Sequence, residues 1–152
     1  MQSYDSRKLL RNSNETIAFG QEIPILFPEL KILLLEGPLG AGKTCLVKGI
    51  AVSLGIEEAI TSPTFSLSNI YTDGTKPLIH MDLYRLEKKK EANELFIENE
   101  EEAINLNALL VIEWPERLGL SIENTCKVKL HYAKNYTRKV EMVNPYFFNK
   151  NL

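Results

Sequence analysis

Eight consecutive residues, Gly37-Pro38-Leu39-Gly40-Ala41-Gly42-Lys43-Thr44, have the types and spacing needed to hold a polyphosphate. They fit the pattern Gly-x4-Gly-Lys-Thr. The glycines open backbone angles that side chains forbid, so successive amides can converge on phosphate oxygens. Gly37, Leu39, Gly40, Ala41, Gly42 and Lys43 are therefore the expected cradle. Lys43 brings a point charge to the terminal phosphates, and Thr44 offers a hydroxyl to magnesium. No guanine-reading Asn-Lys-x-Asp motif occurs, which favours ATP over GTP.

Nucleotide hydrolysis also needs carboxylates near the metal and the attacking water. Two acids stand at the ends of apolar runs: Asp82, within His80-Met81-Asp82-Leu83-Tyr84-Arg85, and Glu113, after Leu110-Val111-Ile112. In an open parallel sheet the carboxyl ends of the strands face the ligand crevice. Glu113 follows the stronger run and is assigned to magnesium together with Thr44. Asp82 is assigned to the water, and an exchange of the two roles stays open. Thr61-Ser62-Pro63-Thr64-Phe65 is rich in hydroxyls and stiffened by proline, the composition of a loop able to sense a terminal phosphate. Tyr84 and Arg85 are candidates for scaffold contacts with an acid such as Glu36.

These residues need a strand before the phosphate loop and a helix after it. Lys31 to Glu36 is a continuous apolar run and reads as a strand buried on both faces. A helix is expected from Lys43 to near Gly55, a natural stop. An earlier helix is expected from Ser13 to about Leu26, with Pro24 leaving its end open. Phe65 to Thr72 and Pro77 to Met81 read as strands joined by an Asp73-Gly74 hairpin turn. Glu91 to Leu106 reads as helix, in one piece or two, and Ala108 to Ile112 as another buried strand. Cys126 to Tyr132 and Thr137 to Val143 alternate as a terminal antiparallel pair. The expected fold is a three-layer α/β domain of the P-loop NTPase type. Its sheet is mixed but largely parallel, it ends in the antiparallel pair, and residues 1–152 form one domain.

Composition narrows the function classes. At 152 residues and 44% hydrophobic, the chain has material for one core. A net charge of −2 gives no general affinity for nucleic acid. Cys45 and Cys126 form no CxxC pair and read as packing residues. No apolar run approaches the ~20 residues of a membrane span, and the first eight residues lack a signal-peptide core. No membrane partner and a cytoplasmic location are expected.

Taken in order, the phosphate loop, Thr61-Ser62-Pro63-Thr64-Phe65, His80-x-Asp82-Leu83-Tyr84-Arg85 and Ile112-Glu113-Trp114-Pro115-Glu116-Arg117 resemble the TsaE family, formerly YjeE. The resemblance extends from about Thr16 through the terminal strand pair. It implies a small bacterial ATPase that works with TsaD and TsaB in making threonylcarbamoyladenosine beside the anticodon of ANN-decoding tRNAs. In that scheme tRNA is reached indirectly, through the complex. By the resemblance, Thr44 and Glu113 match the magnesium positions and Asp82 an acid needed for hydrolysis. Thr16 falls where a family Thr lies near the adenine, and Trp114 matches a Trp beside the nucleotide. One departure is Phe96, where many relatives carry Gly. A small-molecule kinase and a non-hydrolytic nucleotide switch are the alternatives on the same fold. A kinase brings several arginines to the transferred phosphate, and here only Arg85 and Arg117 lie near the motifs.

Overall fold

The computed structural model describes residues 5–122 and 125–143. Seven strands form one mixed sheet. They are β1 (Asp5–Leu10), β2 (Ile32–Glu36), β3 (Ser68–Tyr71), β4 (Leu78–Asp82), β5 (Leu109–Glu113), β6 (Cys126–Tyr132) and β7 (Arg138–Val143). Their order is β1-β7-β6-β2-β5-β4-β3. The central four, β6-β2-β5-β4, run parallel. The outer pairings, β1 with β7, β7 with β6 and β3 with β4, are antiparallel. Helices α1 (Ser13–Leu26) and α2 (Lys43–Ser53) pack on one face, and α3 (Lys89–Leu106) on the other.

Period-two alternation sorts the strand residues between these layers. Leu33, Leu35, Leu78, Leu109 and Val111 point toward α1 and α2. Leu34, Ile79, Met81, Leu110 and Ile112 point toward α3. By the same alternation His80, Asp82 and Glu113 fall on the α2 side, the side of the phosphate loop. Phe96 is buried in the α3 layer as ordinary core packing.

Several expectations are corrected. β1 was not legible in Asp5-Ser6-Arg7-Lys8-Leu9-Leu10. Among the described residues it pairs with β7 alone, at the sheet edge, and Arg7, Lys8 and Leu9 are all exposed, so no alternating core signal marks it. β3 begins at Ser68 rather than Phe65. Leu67 is left-handed at φ +69° and its amide bonds the Pro63 carbonyl at 2.6 Å, turning the chain before pairing starts. Asp73-Gly74 is no two-residue hairpin turn. Asp73 Oδ2 accepts from the amides of Glu57 and Glu58 at 2.9 and 3.0 Å, which holds its carboxyl below the usual range. Gly74 packs against the end of α2, where a Cβ would lie 2.3 Å from the Leu54 carbonyl oxygen. α3 is one helix, because no Gly or Pro interrupts it before Asn107 takes a left-handed conformation. α1, by contrast, runs from Ser13 through Pro24 to Leu26 as expected, and Asn12 caps it, accepting from the Glu15 amide.

The approach of α1 to α2 depends on two glycines. A Cβ on Gly20 would lie 2.2 Å from the Leu46 carbonyl oxygen, and one on Gly49 2.0 Å from that of Ile17. This contact presses Thr16 against the start of α2. Gly49→Ala is expected to destabilise the protein by about 1–3 kcal/mol, the usual range for overpacking. The loss outweighs the better helix propensity of alanine, worth at most ~1 kcal/mol. A urea midpoint equal to or above that of the parent protein would show that the two backbones separate without cost.

Candidate nucleotide site

β2 ends at Glu36 and α2 begins at Lys43, so the glycine-rich segment spans the gap from strand to helix. Gly40 (φ +74°) and Gly42 (φ +102°) occupy angles that side chains rarely adopt, and Gly42 is the residue that opens α2. The loop is also held from outside. The Tyr132 hydroxyl donates to the Leu39 carbonyl. Arg138 donates to the Gly40 carbonyl at 3.3 Å while lying 4.7 Å above the Tyr132 ring. Both residues come from the β6–β7 hairpin. Neither was a candidate from the sequence, because nearly a hundred residues separate them from the loop.

Lys43 is buried. Its ammonium donates to the Gly37 carbonyl and, at 3.3 Å, to that of Pro38. It also lies 4.4 Å above the Trp114 ring. Burial lowers its pKa from the ordinary 10.5, against the opposing pull of Glu113, Asp82 and Glu116. Phosphate oxygens would favour the charged form and compete for the same protons.

Asp82 and Glu113 are register partners on adjacent parallel strands, and both are buried. Asp82 has two fixed contacts: Oδ1 accepts from the Tyr84 amide at 3.0 Å and Oδ2 from the Thr64 hydroxyl at 3.1 Å. Thr64 is in turn 2.8 Å from the Ser62 hydroxyl, so the hydroxyl-rich loop is tied directly to the acid. Glu113 Oε2 instead meets His80 Nε2 at 2.5 Å. Trp114 takes a left-handed conformation at φ +59°, turning the chain out of β5. Its ring stacks at 4.9 Å with Tyr84, and Arg117 lies 5.7 Å away. Among the described residues Arg85 pairs with no acid such as Glu36. It lies 4.8 Å over the Phe65 ring, while Glu36 bridges Lys127 at 3.0 Å on the opposite sheet face.

A cavity of about 320 Å³ unites the candidates: Leu39, Gly40, Gly42, Lys43, Thr44, Asp82, Glu113 and Trp114 line it, with Cys45, Ser62 and Thr64. Gly37, Ala41 and Thr16 do not. Ala41 is buried behind the loop. Thr16 is buried under it, its Cγ2 3.5 Å from where a Gly42 Cβ would stand. A larger recess of about 620 Å³, beside Glu36, Lys127 and Lys129, holds none of the candidates.

Residues 10–140 match the family model "Threonylcarbamoyl adenosine biosynthesis protein TsaE". The chain belongs to the TsaE family. A TsaE protein of Treponema pallidum is 37% identical over 135 residues, spanning 88% of this chain and 97% of the relative. One of a Nostoc species is 45% identical over 112 residues, 73% and 68% of the two chains. Both carry the name "tRNA threonylcarbamoyladenosine biosynthesis protein TsaE". The crystal structure of YdiB from Bacillus subtilis superposes with a TM-score of 0.68 at 24% identity. It covers 99% of this chain and 93% of its own, and the likeness supports the fold.

The donor set of the cavity fits a hard cation such as the magnesium expected from the sequence. Thr44, Asp82 and Glu113 offer oxygens alone, the ligands of a hard cation. Among the described residues no cluster of three or more His, Cys, Asp or Glu forms a complete metal cage. Cys126, as expected, is a packing residue, its thiol pushed up to about 12 by burial.

Proposed function

We propose that this chain is an ATP-hydrolysing subunit of tRNA threonylcarbamoyladenosine biosynthesis, acting with TsaD and TsaB and reaching tRNA through them. The observation that carries the reading is the convergence of Lys43, Thr44, Asp82 and Glu113 on one cavity beneath a phosphate loop. In this reading the amides of Gly37 and of Leu39 to Lys43 hold the phosphates, with Thr16 and Trp114 on the nucleoside side. Thr44 and Glu113 would hold magnesium, which when bound neutralises phosphate charge. Lys43 leaves the Gly37 and Pro38 carbonyls for the terminal phosphates. Asp82 accepts the hydrogen bond of the attacking water. One folded unit carries the whole site. A cytoplasmic setting suits a tRNA-modifying role, and no helix among the described residues is long and apolar enough to cross a membrane.

Dependence on partners has its own support. Among the described residues no arginine lines the cavity. Arg85 and Arg117 lie against aromatic rings, and Arg138 is bonded to carbonyls of Gly40, Tyr136 and Thr137. Neutralising transition-state charge is therefore left to Lys43, the metal and whatever a partner brings. The same sparsity weighs against a kinase. Phe65, 84% exposed, stands beside Thr64, which bonds Asp82. A protein that grips Phe65 would thereby act on the catalytic acid.

The test is steady-state phosphate release with increasing TsaD–TsaB. The rate is expected to rise, and Thr64→Ala is expected to reduce the rise more than it reduces ATP affinity. A coupling of ~1–3 kcal/mol between nucleotide state and partner binding is typical for such a device. A flat rate at concentrations where the complex forms would rule out partner-driven hydrolysis. Transfer of phosphate to a small acceptor would establish the kinase instead.

A further inference from the structure

His80 takes no part in the scheme above, yet it is completely buried on the face of β4 that leads to the nucleotide site. Its neighbours in that layer are Leu78 on one side and Asp82 on the other. An apolar side chain would fill the position without the cost of burying a ring that needs hydrogen bonds. Replacing a buried polar pair by apolar residues is often neutral or stabilising. Stability is thus a weak reason for His80 to meet Glu113 here.

The geometry of the pair is one-sided. Nε2 is 2.5 Å from Glu113 Oε2, while Nδ1 is buried and among the described residues has no hydrogen-bond partner. A ring with its proton on Nε2 donates to the carboxylate and leaves a bare lone pair on Nδ1. The opposite tautomer would set two lone pairs against each other at 2.5 Å and bury an unsatisfied N–H donor. Glu113 lines the cavity and His80 does not. Glu113 shares that cavity with Lys43 and Thr44. A Glu113 released from His80 would lose the one side-chain hydrogen bond that fixes its place in the cavity wall among the described residues.

We propose that His80 is the positioning residue of the nucleotide site: its Nε2–H holds Glu113 Oε2 and so fixes the carboxylate where it lines the cavity with Lys43 and Thr44. The assignment rests on the nucleotide-site reading. His80 touches neither nucleotide nor water and acts through Glu113. A partner of this kind, when removed from a ligating carboxylate, typically costs about 10- to 100-fold in metal affinity or activity.

Three variants and one spectrum test it. Gln can place an amide N–H near the Nε2 position, Asn is too short to reach it, and Phe fills the space with no donor. Affinity for a non-hydrolysable ATP analogue is measured by calorimetry with magnesium and with chelator, beside kcat, KM and thermal midpoint. His80→Asn and His80→Phe are expected to lose about 10- to 100-fold in magnesium-dependent affinity and in kcat, with chelator-state affinity nearly unchanged. His80→Gln is expected to recover most of what His80→Asn loses. Nitrogen NMR of the unaltered protein is expected to show the Nε2–H tautomer at His80, resolved from the exposed His131. If His80→Phe fails to fold, the Gln–Asn contrast and the spectrum decide the matter. Equal losses with and without magnesium would mean a purely structural role and overturn the proposal, as would an Nδ1–H tautomer or full magnesium-dependent affinity in His80→Asn. A parent protein that binds magnesium nucleotide but releases no phosphate with partners present would sink the hydrolytic reading alone. Affinity and tautomer would still judge His80.

Discussion

Lys43→Ala is expected to weaken ATP binding by more than about 100-fold while leaving a folded protein. The lysine makes charge-assisted contacts, each worth ~1.5–3 kcal/mol to a bound anion, and it is placed to reach more than one phosphate oxygen. A loss of ~3 kcal/mol corresponds to roughly 150-fold in affinity. Folding should survive because the ammonium is a burden in the ligand-free state: burial depresses its pKa, and only two loop carbonyls lose a donor. The sign of that burden gives an independent check. With its pKa lowered in the folded state, Lys43 binds a proton more weakly there than in the unfolded chain. Its contribution to stability therefore rises with pH through the interval between the lowered value and 10.5. Lys43→Met, which keeps the stem, should lose this rise relative to the parent. Calorimetry of ATP binding and pH-dependent unfolding are the measurements. Parental ATP affinity in Lys43→Ala would remove the phosphate-loop assignment.

How far the sequence discloses this site follows from where the information lies. The phosphate loop was legible because its residues are contiguous and backbone angles demand their types: Gly40 and Gly42 adopt positive φ, and Lys43 opens the helix. Asp82 and Glu113 were legible as strand-terminal acids because their strands are continuous apolar runs, buried throughout. The runs were read as ending one residue early. In the structure each acid is the last residue of its strand, and the two are direct register partners. Tyr132, Arg138 and the His80–Glu113 contact were not legible in the same way. The first two reach the loop only because β6 pairs with β2, a crossover that no local pattern encodes. His80 looked like one more residue of an apolar strand, and its role depends on the neighbouring strand's register. Edge strand β1 and the Asp73-Gly74 contact failed for a related reason. Both are decided by partners distant in the chain, whereas propensity rules weigh only near neighbours.

Asp82→Asn and Glu113→Gln are expected to fail in different ways, and the surroundings of the two acids say which. Asp82 is fixed through both oxygens, by the Tyr84 amide and the Thr64 hydroxyl. An Asn at 82 still accepts from the Tyr84 amide through Oδ1, and its amide group can donate to the Thr64 hydroxyl. The local structure and the cavity wall persist, so ATP affinity should stay near that of the parent protein. What disappears is the basicity needed to take a proton from water. A positioned base contributes ~10²- to 10⁴-fold, so phosphate release should fall by that order. Glu113 is held at one oxygen by His80 and lines the cavity, so in the proposed scheme its other oxygen would serve the metal. A Gln at 113 can satisfy His80 with its carbonyl but turns an NH2 toward the cation, removing both a charge and a ligand. Magnesium-dependent affinity should fall first, and hydrolysis with it. Nucleotide affinity with and without magnesium, beside single-turnover phosphate release, separates the cases. Normal affinity with lost turnover in Glu113→Gln, and the metal defect in Asp82→Asn, would exchange the two roles. Parental turnover in both would mean that neither carboxylate serves the reaction, although they share one cavity with Lys43 and Thr44.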